Sequence, residues 1–205
     1  FTASALANQV GMDGGDTVLP WCKQKNVGHA ATGLMSRARR HTLNQTKPNK
    51  PYYHLAQDQL SFLDEFLIIE GGGHHGQGYI YGRKQVDPED WFFSCHFYQD
   101  PVMPGSLGVE AIVEAMQIFA LEQDLGRHLN SPRFSQRCGH KTVWKYRGQI
   151  VPTHRMMDLE IHISQLEINL QQVTIVGDAS LWRDGIRIYE VSQVAISLVE
   201  AGDNY

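Results

Sequence analysis

Residues 105–125, GSLGVEAIVEAMQIFALEQDL, decide the fold of this 205-residue chain. Apolar side chains recur at every fourth position, and others lie beside them, so most of a helix circumference is apolar. The repeating residues are Leu107, Ala111, Ala115 and Phe119. Such a helix cannot lie on a surface, because its apolar faces all need cover from other elements. The stretch therefore predicts one long helix enclosed by the rest of the domain.

Strand patterns lie on both sides of this predicted helix. Before it, an apolar run at 62–69, a glycine turn and a strand pattern at 77–84 predict two paired strands. After it, segments rich in β-branched and aromatic residues predict four strands, at 141–147, 157–166, 171–182 and 186–199. The order predicts an α+β domain, in which a curved antiparallel sheet wraps around one long buried helix.

The composition is that of a single globular domain. Hydrophobic residues make up 42% and charged residues 20% of the chain, values that exclude a largely disordered protein. No stretch approaches the roughly 20 consecutive apolar residues of a membrane-spanning helix, and no signal peptide is visible. Cys22, Cys95 and Cys138 show no CxxC spacing, which argues against a disulfide framework or a cysteine-built zinc site. We expect a cytoplasmic protein without a membrane segment, and the start at Phe1 suggests a piece of a longer polypeptide.

Residues 1–52, here called the front segment, differ in character from the rest of the chain. They hold few regularly spaced aliphatic residues and lead into KPNKP, where two prolines discourage regular structure. We interpret them as a linker or the tail of a preceding module, with one short helix around 30–40, and assign the domain to 53–205. The basic run RARRH at 37–41 could contact nucleic acid, but no aromatic platform accompanies it. A solvated face is the preferred interpretation, and we expect no nucleic-acid partner.

The segment 91–111, WFFSCHFYQDPVMPGSLGVEA, carries the residue types that acid–base chemistry needs. His96 stands in an aromatic run, where burial would keep the imidazole neutral and available as a base. Gly105 and Ser106 open the predicted helix, where backbone N–H groups lack partners and the helix dipole favours negative charge. Glu110 follows on an apolar helix, where desolvation would raise the pKa of its carboxyl. A base, an anion-binding helix start and a proton donor are the parts needed to eliminate water β to a carbonyl.

Each of these residues also has a plainer interpretation. A histidine in an aromatic segment is commonly a hydrogen-bonded core residue, and a glycine at a helix start is commonly a cap. Glu110 could belong to an exposed polar stripe with Glu114 and Gln117, which follow at i+4 and i+7. Spacing alone leaves these alternatives open.

Two pairs of neighbouring residues are weaker candidates. Cys95 beside His96 could form a thiol–imidazole pair, but neighbours on an extended strand point to opposite faces. His74 and His75 in a glycine-rich loop could bind a metal ion, but no third ligand lies at a recognisable spacing. We interpret the histidine pair as part of a turn and expect no metal site.

The segment around His96 resembles a known family. HF at 96–97, DPVMPG at 100–105 and LG at 107–108 are similar to the signature of the bacterial β-hydroxydecanoyl-acyl-carrier-protein dehydratases, which have the hot-dog fold. The resemblance extends over about 59–199, including GQIVP at 148–152, and the long front segment is similar to the dehydratase region of bacterial polyunsaturated-fatty-acid synthases. It implies that His96 is the catalytic histidine and that Glu110 occupies the position of the catalytic acid. It also implies that the Gly105 N–H, at the helix start with Ser106, binds the thioester carbonyl.

The resemblance implies an activity and partners as well. It implies dehydration of (3R)-hydroxyacyl thioesters, carried on the phosphopantetheine of an acyl carrier protein, to trans-2-enoyl thioesters, with no metal or redox cofactor. Members that also isomerise the double bond have aspartate at the position of Glu110, and the dehydration-only group has glutamate, so isomerisation to the cis-3 product stays open. The histidine and the acid of one site are expected from two hot-dog units, so a second copy or a neighbouring module should complete the site. A hot-dog thioesterase and a non-catalytic hot-dog module are the alternatives.

A basic stretch follows the predicted helix. Between 127 and 147 the chain has six basic residues and no acidic one: Arg127, Arg133, Arg137, Lys141, Lys145 and Arg147. Acyl carrier proteins are acidic, so this stretch is a candidate docking surface for one. A solvated loop and strand edge is the alternative.

Overall fold

An antiparallel sheet and one long helix dominate the structure, a computed structural model that describes residues 18–25, 35–45, 50–137 and 139–201. Within these residues the helices are α1 (Trp21–Gln24), α2 (Arg37–Gln45) and α3 (Gly105–Glu122). The strands are β1 (Met35–Ser36), β2 (Glu65–Ile69), β3 (Tyr79–Gln85), β4 (Pro132–Gln136), β5 (Val143–Tyr146), β6 (Met156–Ile168), β7 (Gln172–Arg183) and β8 (Ile186–Glu200). Their order across the sheet is β1-β2-β3-β6-β7-β8-β4, and β5 also pairs with β8.

The long helix α3 lies in the core, as its sequence predicts. Ala111, Ile112 and Met116 are fully buried and belong to one apolar cluster with the inward-facing residues of the sheet. The helix begins at Gly105 as predicted and ends at Glu122, shortly before the predicted end. The predicted α+β class, an antiparallel sheet packed around one long helix, is confirmed. In the described part of the chain, no helix has the length and apolar content needed to cross a membrane.

The strands after α3 follow the sequence pattern with two differences. The three longest, β6, β7 and β8, lie where β-branched residues alternate, and β5 is shorter than predicted. The pattern does not predict β4, which begins with Pro132 and holds Phe134 as its single large apolar side chain. A proline is tolerated there because β4 lies at an edge of the sheet, where one row of backbone groups has no neighbouring strand.

Part of the front segment covers the second face of the sheet. Along β6, Leu159 faces the core that contains α3, whereas Asp158 and Glu160 point to the opposite face. These two carboxylates are nevertheless buried, because residues 18–25 lie against them. The Trp21 N–H donates to Glu160 (2.6 Å), and Lys23 Nζ lies 3.0 Å from an Asp158 oxygen.

The α2 helix belongs to the front segment and contacts α3 through its side chains. It overlaps the short helix predicted around 30–40 only at 37–40, because 35–36 form β1 and the helix continues to Gln45; residues 30–34 lie outside the described residues. Arg37 and Arg39 are exposed, as a solvated face requires. Arg40 departs from that expectation, because it is buried and pairs with Glu114 of α3. The domain boundary at 52/53 stays a prediction.

Candidate active site

His96 lies in the loop between a 3-10 turn, Trp91–Ser94, and α3. Its N–H donates to the Phe92 carbonyl (3.0 Å), and its own carbonyl accepts from the Val102 N–H (2.7 Å). The Met103 N–H donates to the Ile150 carbonyl (2.8 Å), which ties this loop to the GQIVP segment. The loop that carries His96 is therefore fixed by backbone bonds, although it is not a strand.

The surroundings of His96 are more open than the aromatic sequence indicates. Phe92 and Phe93 are buried, but the His96 ring is partly exposed. Phe97 is 51% and Tyr98 90% exposed. The expectation of a water-poor histidine is wrong for the single chain, because the two aromatic residues after His96 point away from the core.

Cys95 is exposed and follows the last residue of the 3-10 turn. Its Sγ lies 3.7 Å from the Trp91 carbonyl and 3.6 Å from the Phe92 carbonyl. The sequence argument that placed Cys95 and His96 on a strand is wrong. The thiol contacts backbone carbonyls of the turn, so the structure gives no support to a thiol–imidazole pair.

The His96 ring has a defined tautomer. Its Nδ1 lies 3.0 Å from the Val102 carbonyl oxygen. A carbonyl oxygen can only accept, so in the neutral ring Nδ1 carries the proton and Nε2 keeps a free lone pair. This arrangement suits a general base, because the Nδ1 contact holds the ring in one orientation and leaves Nε2 as the acceptor nitrogen of the neutral form.

The start of α3 offers two backbone donors. Pro104 precedes the helix and no side chain caps it. The Leu107 N–H already donates to the Pro104 carbonyl (2.9 Å). Among the described residues, no acceptor is bonded to the N–H of Gly105 or Ser106. The helix dipole adds positive potential at the same place, so a carbonyl oxygen that gains negative charge would be stabilised there.

Three aromatic side chains that the sequence interpretation missed surround this helix start. Trp144 and Tyr146 come from β5 and Tyr189 from β8, and their ring centroids lie 5.2 to 5.5 Å apart. A Cβ on Gly105 would lie 2.9 Å from the Trp144 ring, and one on Gly108 would lie 3.0 Å from Tyr189 Cζ. Gly105 and Gly108 were the sequence signal for these rings, because the rings occupy the space that a side chain at either position would fill.

Glu110 lies on α3 and is partly exposed in the single chain. In the described part of the molecule, no hydrogen bond or ion pair joins its carboxyl to another residue, His96 included. The structure therefore places the predicted base and the predicted acid without a direct contact inside one chain.

The buried carboxyl of α3 is that of Glu114, which corrects the alternative of an exposed stripe. Its Oε1 lies 2.6 Å from Arg40 Nε, and its Oε2 accepts from the N–H groups of Phe62 (2.8 Å) and Leu63 (3.2 Å). Burial raises the pKa of Glu114, and Arg40 opposes only part of this shift. Oε1 faces Arg40 and Oε2 accepts two backbone hydrogen bonds, so the Glu114 carboxyl is held by the interior of the fold.

Two of the predicted docking residues, Arg133 of β4 and Lys145 of β5, lie on strands that pair with the same neighbour, β8. Lys145 and Arg147 lie 2.6 and 3.2 Å from the Glu190 carboxylate. The hydrogen bond from Lys145 contributes most to lowering the pKa of Glu190. Arg127 and Lys141 are exposed. Arg133 and Arg137 are half-buried, and Lys145 and Arg147 are matched by the Glu190 carboxylate.

The histidine pair forms part of the turn between β2 and β3. The His74 ring stacks on His162 with centroids 3.8 Å apart, and His75 Nε2 lies 3.6 Å from Asp178. No three His, Cys, Asp or Glu side chains within the described ranges are placed to hold a metal ion.

A polar cleft of about 660 Å³ lies away from the candidate site. Arg37, Asp64 and Asp90 line it, and His96 and Gly105 do not.

Comparison with known sequences gives two findings. The profile of the FabA-like domain family matches residues 55–192. One component of the polyunsaturated fatty acid synthase of Thraustochytrium sp. is 35% identical over 207 residues, an alignment that covers 97% of this chain and 14% of that protein. The chain thus spans a small part of the length of this relative.

Solved structures with a similar arrangement are distant in sequence. The dehydratase heterocomplex ApeI:P from Xenorhabdus doucetiae is 12% identical with a TM-score of 0.46, over 74% of this chain and 90% of that one. A putative thioesterase from Shewanella oneidensis is 9% identical with a TM-score of 0.41, over 80% and 96% of the two chains.

Proposed function

Because this chain belongs to the FabA-like domain family, we propose that it removes water from (3R)-3-hydroxyacyl thioesters and forms the trans-2-enoyl thioesters. The substrate is carried on the phosphopantetheine of an acyl carrier protein. The named activity of the Thraustochytrium relative, polyunsaturated fatty acid synthesis, supports a place in the assembly of fatty acyl chains. The observation that carries the proposal is the His96 ring, whose Nδ1 contact with the Val102 carbonyl leaves Nε2 as a base.

Elimination assigns one task to each part of the site. The N–H groups of Gly105 and Ser106 bind the thioester carbonyl and stabilise the negative charge that develops on its oxygen. His96 Nε2 takes a proton from C2, and the electron pair of that C–H bond forms the C2–C3 double bond. The C3–O bond breaks as the carboxyl of Glu110 gives a proton to the hydroxyl, which leaves as water. A proton transfer from His96 back to Glu110 then resets the site.

A second hot-dog unit completes the site in this proposal. His96 and Glu110 have no contact within the described part of one chain, so an acid from another unit would face the histidine. Phe97, Tyr98 and Trp144 are 51%, 90% and 40% exposed, so these aromatic side chains are accessible to a second unit. The partner is a second copy of this chain or a neighbouring module of its parent polypeptide.

One assay tests the function against its rivals. The protein is offered a 3-hydroxyacyl pantetheine thioester, and enoyl thioester and free thiol are measured. We expect the enoyl product, whereas free thiol would identify a thioesterase and the absence of both would identify a non-catalytic module. The position of the double bond in the product decides whether isomerisation accompanies dehydration.

Reversing the charge of Arg133 and Arg137 tests the docking surface. We expect R133E/R137E to raise KM for a carrier-bound substrate roughly tenfold at low salt, because complementary charge steers an acidic partner to its site. KM for a short pantetheine thioester should not change. Two single charge reversals form a matched pair: R137E lies on the basic stretch and is the test, and K25E lies on the exposed part of the front segment and is the control. Equal effects of R133E/R137E on both substrates would contradict docking along this edge.

A further inference from the structure

Tyr189 is the most buried of the three rings at the start of α3. Its side chain is 1% exposed, and it lies opposite Tyr146 in the β5–β8 pairing. Its ring rests against Gly108, and its hydroxyl lies 3.3 Å from the Gly105 carbonyl oxygen. The phenol therefore contacts the helix backbone at the turn that begins with the two unbonded N–H groups.

The contact between the Tyr189 hydroxyl and the Gly105 carbonyl affects the Ser106 N–H through the peptide bond that joins the two residues. The Gly105 C=O and the Ser106 N–H belong to one peptide unit, which is planar and holds the two groups in opposite directions. A donor to this carbonyl therefore adds to the constraint that the helix already places on the direction of the Ser106 N–H. Tyr189 can supply that donor, because its O–H points at an oxygen that can only accept.

The same contact strengthens when charge develops on a bound substrate. Hydrogen bonds made by the two ends of one peptide unit polarise each other. When the Ser106 N–H donates to the substrate carbonyl, the Gly105 carbonyl therefore becomes a better acceptor. The 3.3 Å distance is long for a bond between a hydroxyl and a carbonyl, which leaves room for it to shorten. Burial and the nearby Tyr146 raise the pKa of Tyr189 well above its ordinary value, so the phenol keeps its proton.

We propose that Tyr189 is a positioning residue for the carbonyl-binding end of α3, and that it acts through the peptide unit between Gly105 and Ser106. This inference rests on the proposed function, because it assigns the helix start to the thioester carbonyl. It predicts that the hydroxyl of Tyr189 contributes to turnover more than to substrate binding, since the bond is strongest when the carbonyl oxygen carries most charge.

Removing the hydroxyl alone tests the proposal. Y189F should lower kcat for a pantetheine thioester roughly three- to tenfold, the range of one hydrogen bond, and leave KM within about twofold. The matched control is Y53F, because Tyr53 is fully buried and donates to the Ala120 carbonyl (2.7 Å) near the other end of α3. Y53F should lower the melting temperature and leave kcat unchanged. A kcat of Y189F equal to that of Y53F, or a change in KM alone, would overturn the proposal.

A second readout does not depend on turnover. The carbonyl stretch of an isotope-labelled, saturated acyl pantetheine thioester should shift to lower frequency on binding, because the N–H donors polarise the carbonyl. The shift should shrink in Y189F and stay in Y53F, and equal shifts in both variants would overturn the positioning role. If the wild-type protein forms no enoyl product but the shift still depends on Tyr189, the proposed dehydration fails and the positioning role stands.

Discussion

Replacing His96 with asparagine is expected to lower kcat for dehydration roughly a hundred- to ten-thousandfold, the range of a lost general base. The asparagine Nδ2 can occupy the place of the histidine Nδ1 and donate to the Val102 carbonyl, so the loop keeps that bond. The variant lacks a basic nitrogen at the position of Nε2. The measurement is enoyl formation, together with exchange of the C2 proton with solvent deuterium, which should also be lost.

A second histidine provides the control for H96N. His128 is exposed, and its Nε2 lies 2.8 Å from the Asn169 carbonyl. H128Q keeps a donor at that place, and we expect its kcat to equal that of the wild type. If H96N retains kcat within about threefold of the wild type, a change far below that of a lost base, then the base is another group. Loss of thiol release rather than of enoyl formation would assign His96 to hydrolysis.

Replacing Arg40 with methionine is expected to lower the free energy of unfolding by about 3 to 5 kcal/mol at pH 8, the cost of a buried carboxylate without its counter-ion. Arg40 Nε lies 2.6 Å from Glu114 Oε1, and both residues are buried. Arg40 also donates to the Ala56 carbonyl (2.7 Å) and to Ser61. Urea unfolding at fixed pH measures the loss.

The loss in R40M should depend on pH in a defined direction. Burial raises the pKa of Glu114 in the folded protein, and without Arg40 the shift grows. A carboxyl with a raised pKa stabilises the folded state most below its unfolded pKa, and this contribution is lost as pH rises through the folded value. The difference between R40M and the wild type should therefore be smallest near pH 4.5, the ordinary pKa of this carboxyl, and grow toward pH 8. A loss that is equal at both pH values would contradict the role given to Glu114.

Two further variants separate burial from charge. Arg39 makes a two-pronged pair with Glu122 (2.7 and 2.8 Å) but is 45% exposed, so R39M should cost no more than about 1 kcal/mol. In R40M/E114Q the amide oxygen still accepts from Phe62 and Leu63 and no charge is buried. The double variant should recover most of the stability that R40M loses.

The sequence predicted the helix and the inner strands of the sheet better than it predicted the edge strand. The helix α3 and the strands β6 to β8 follow from periodicity, because each must bury one set of side chains and the spacing of that set reveals the element. The edge strand β4 was missed, because PRFSQ lacks alternating apolar residues and pairs with β8 through its backbone. Backbone pairing at an edge needs few side-chain signals, so the sequence carries little trace of it.

The sequence predicted only the part of the candidate site that lies in one stretch of the chain. His96, Gly105 and Glu110 stand in one local motif, and local order along the chain is visible in the sequence. The contact of Tyr189 with Gly105 and that of Arg40 with Glu114 join segments far apart in the chain. Nothing in the spacing of these residues indicates which distant backbone or side chain each one meets.

The amino-acid order by itself determined one enclosed helix, the antiparallel strands that cover it and a histidine ahead of a glycine-opened helix start. Those features depend on local periodicity and on backbone groups that every helix leaves unbonded at its first turn. Tertiary packing alone decided that Glu114 rather than Glu110 is the buried carboxyl and that Phe97 and Tyr98 stay exposed. Desolvation depends on which segments fold over a side chain, and that is a property of the assembled molecule rather than of any stretch of its chain.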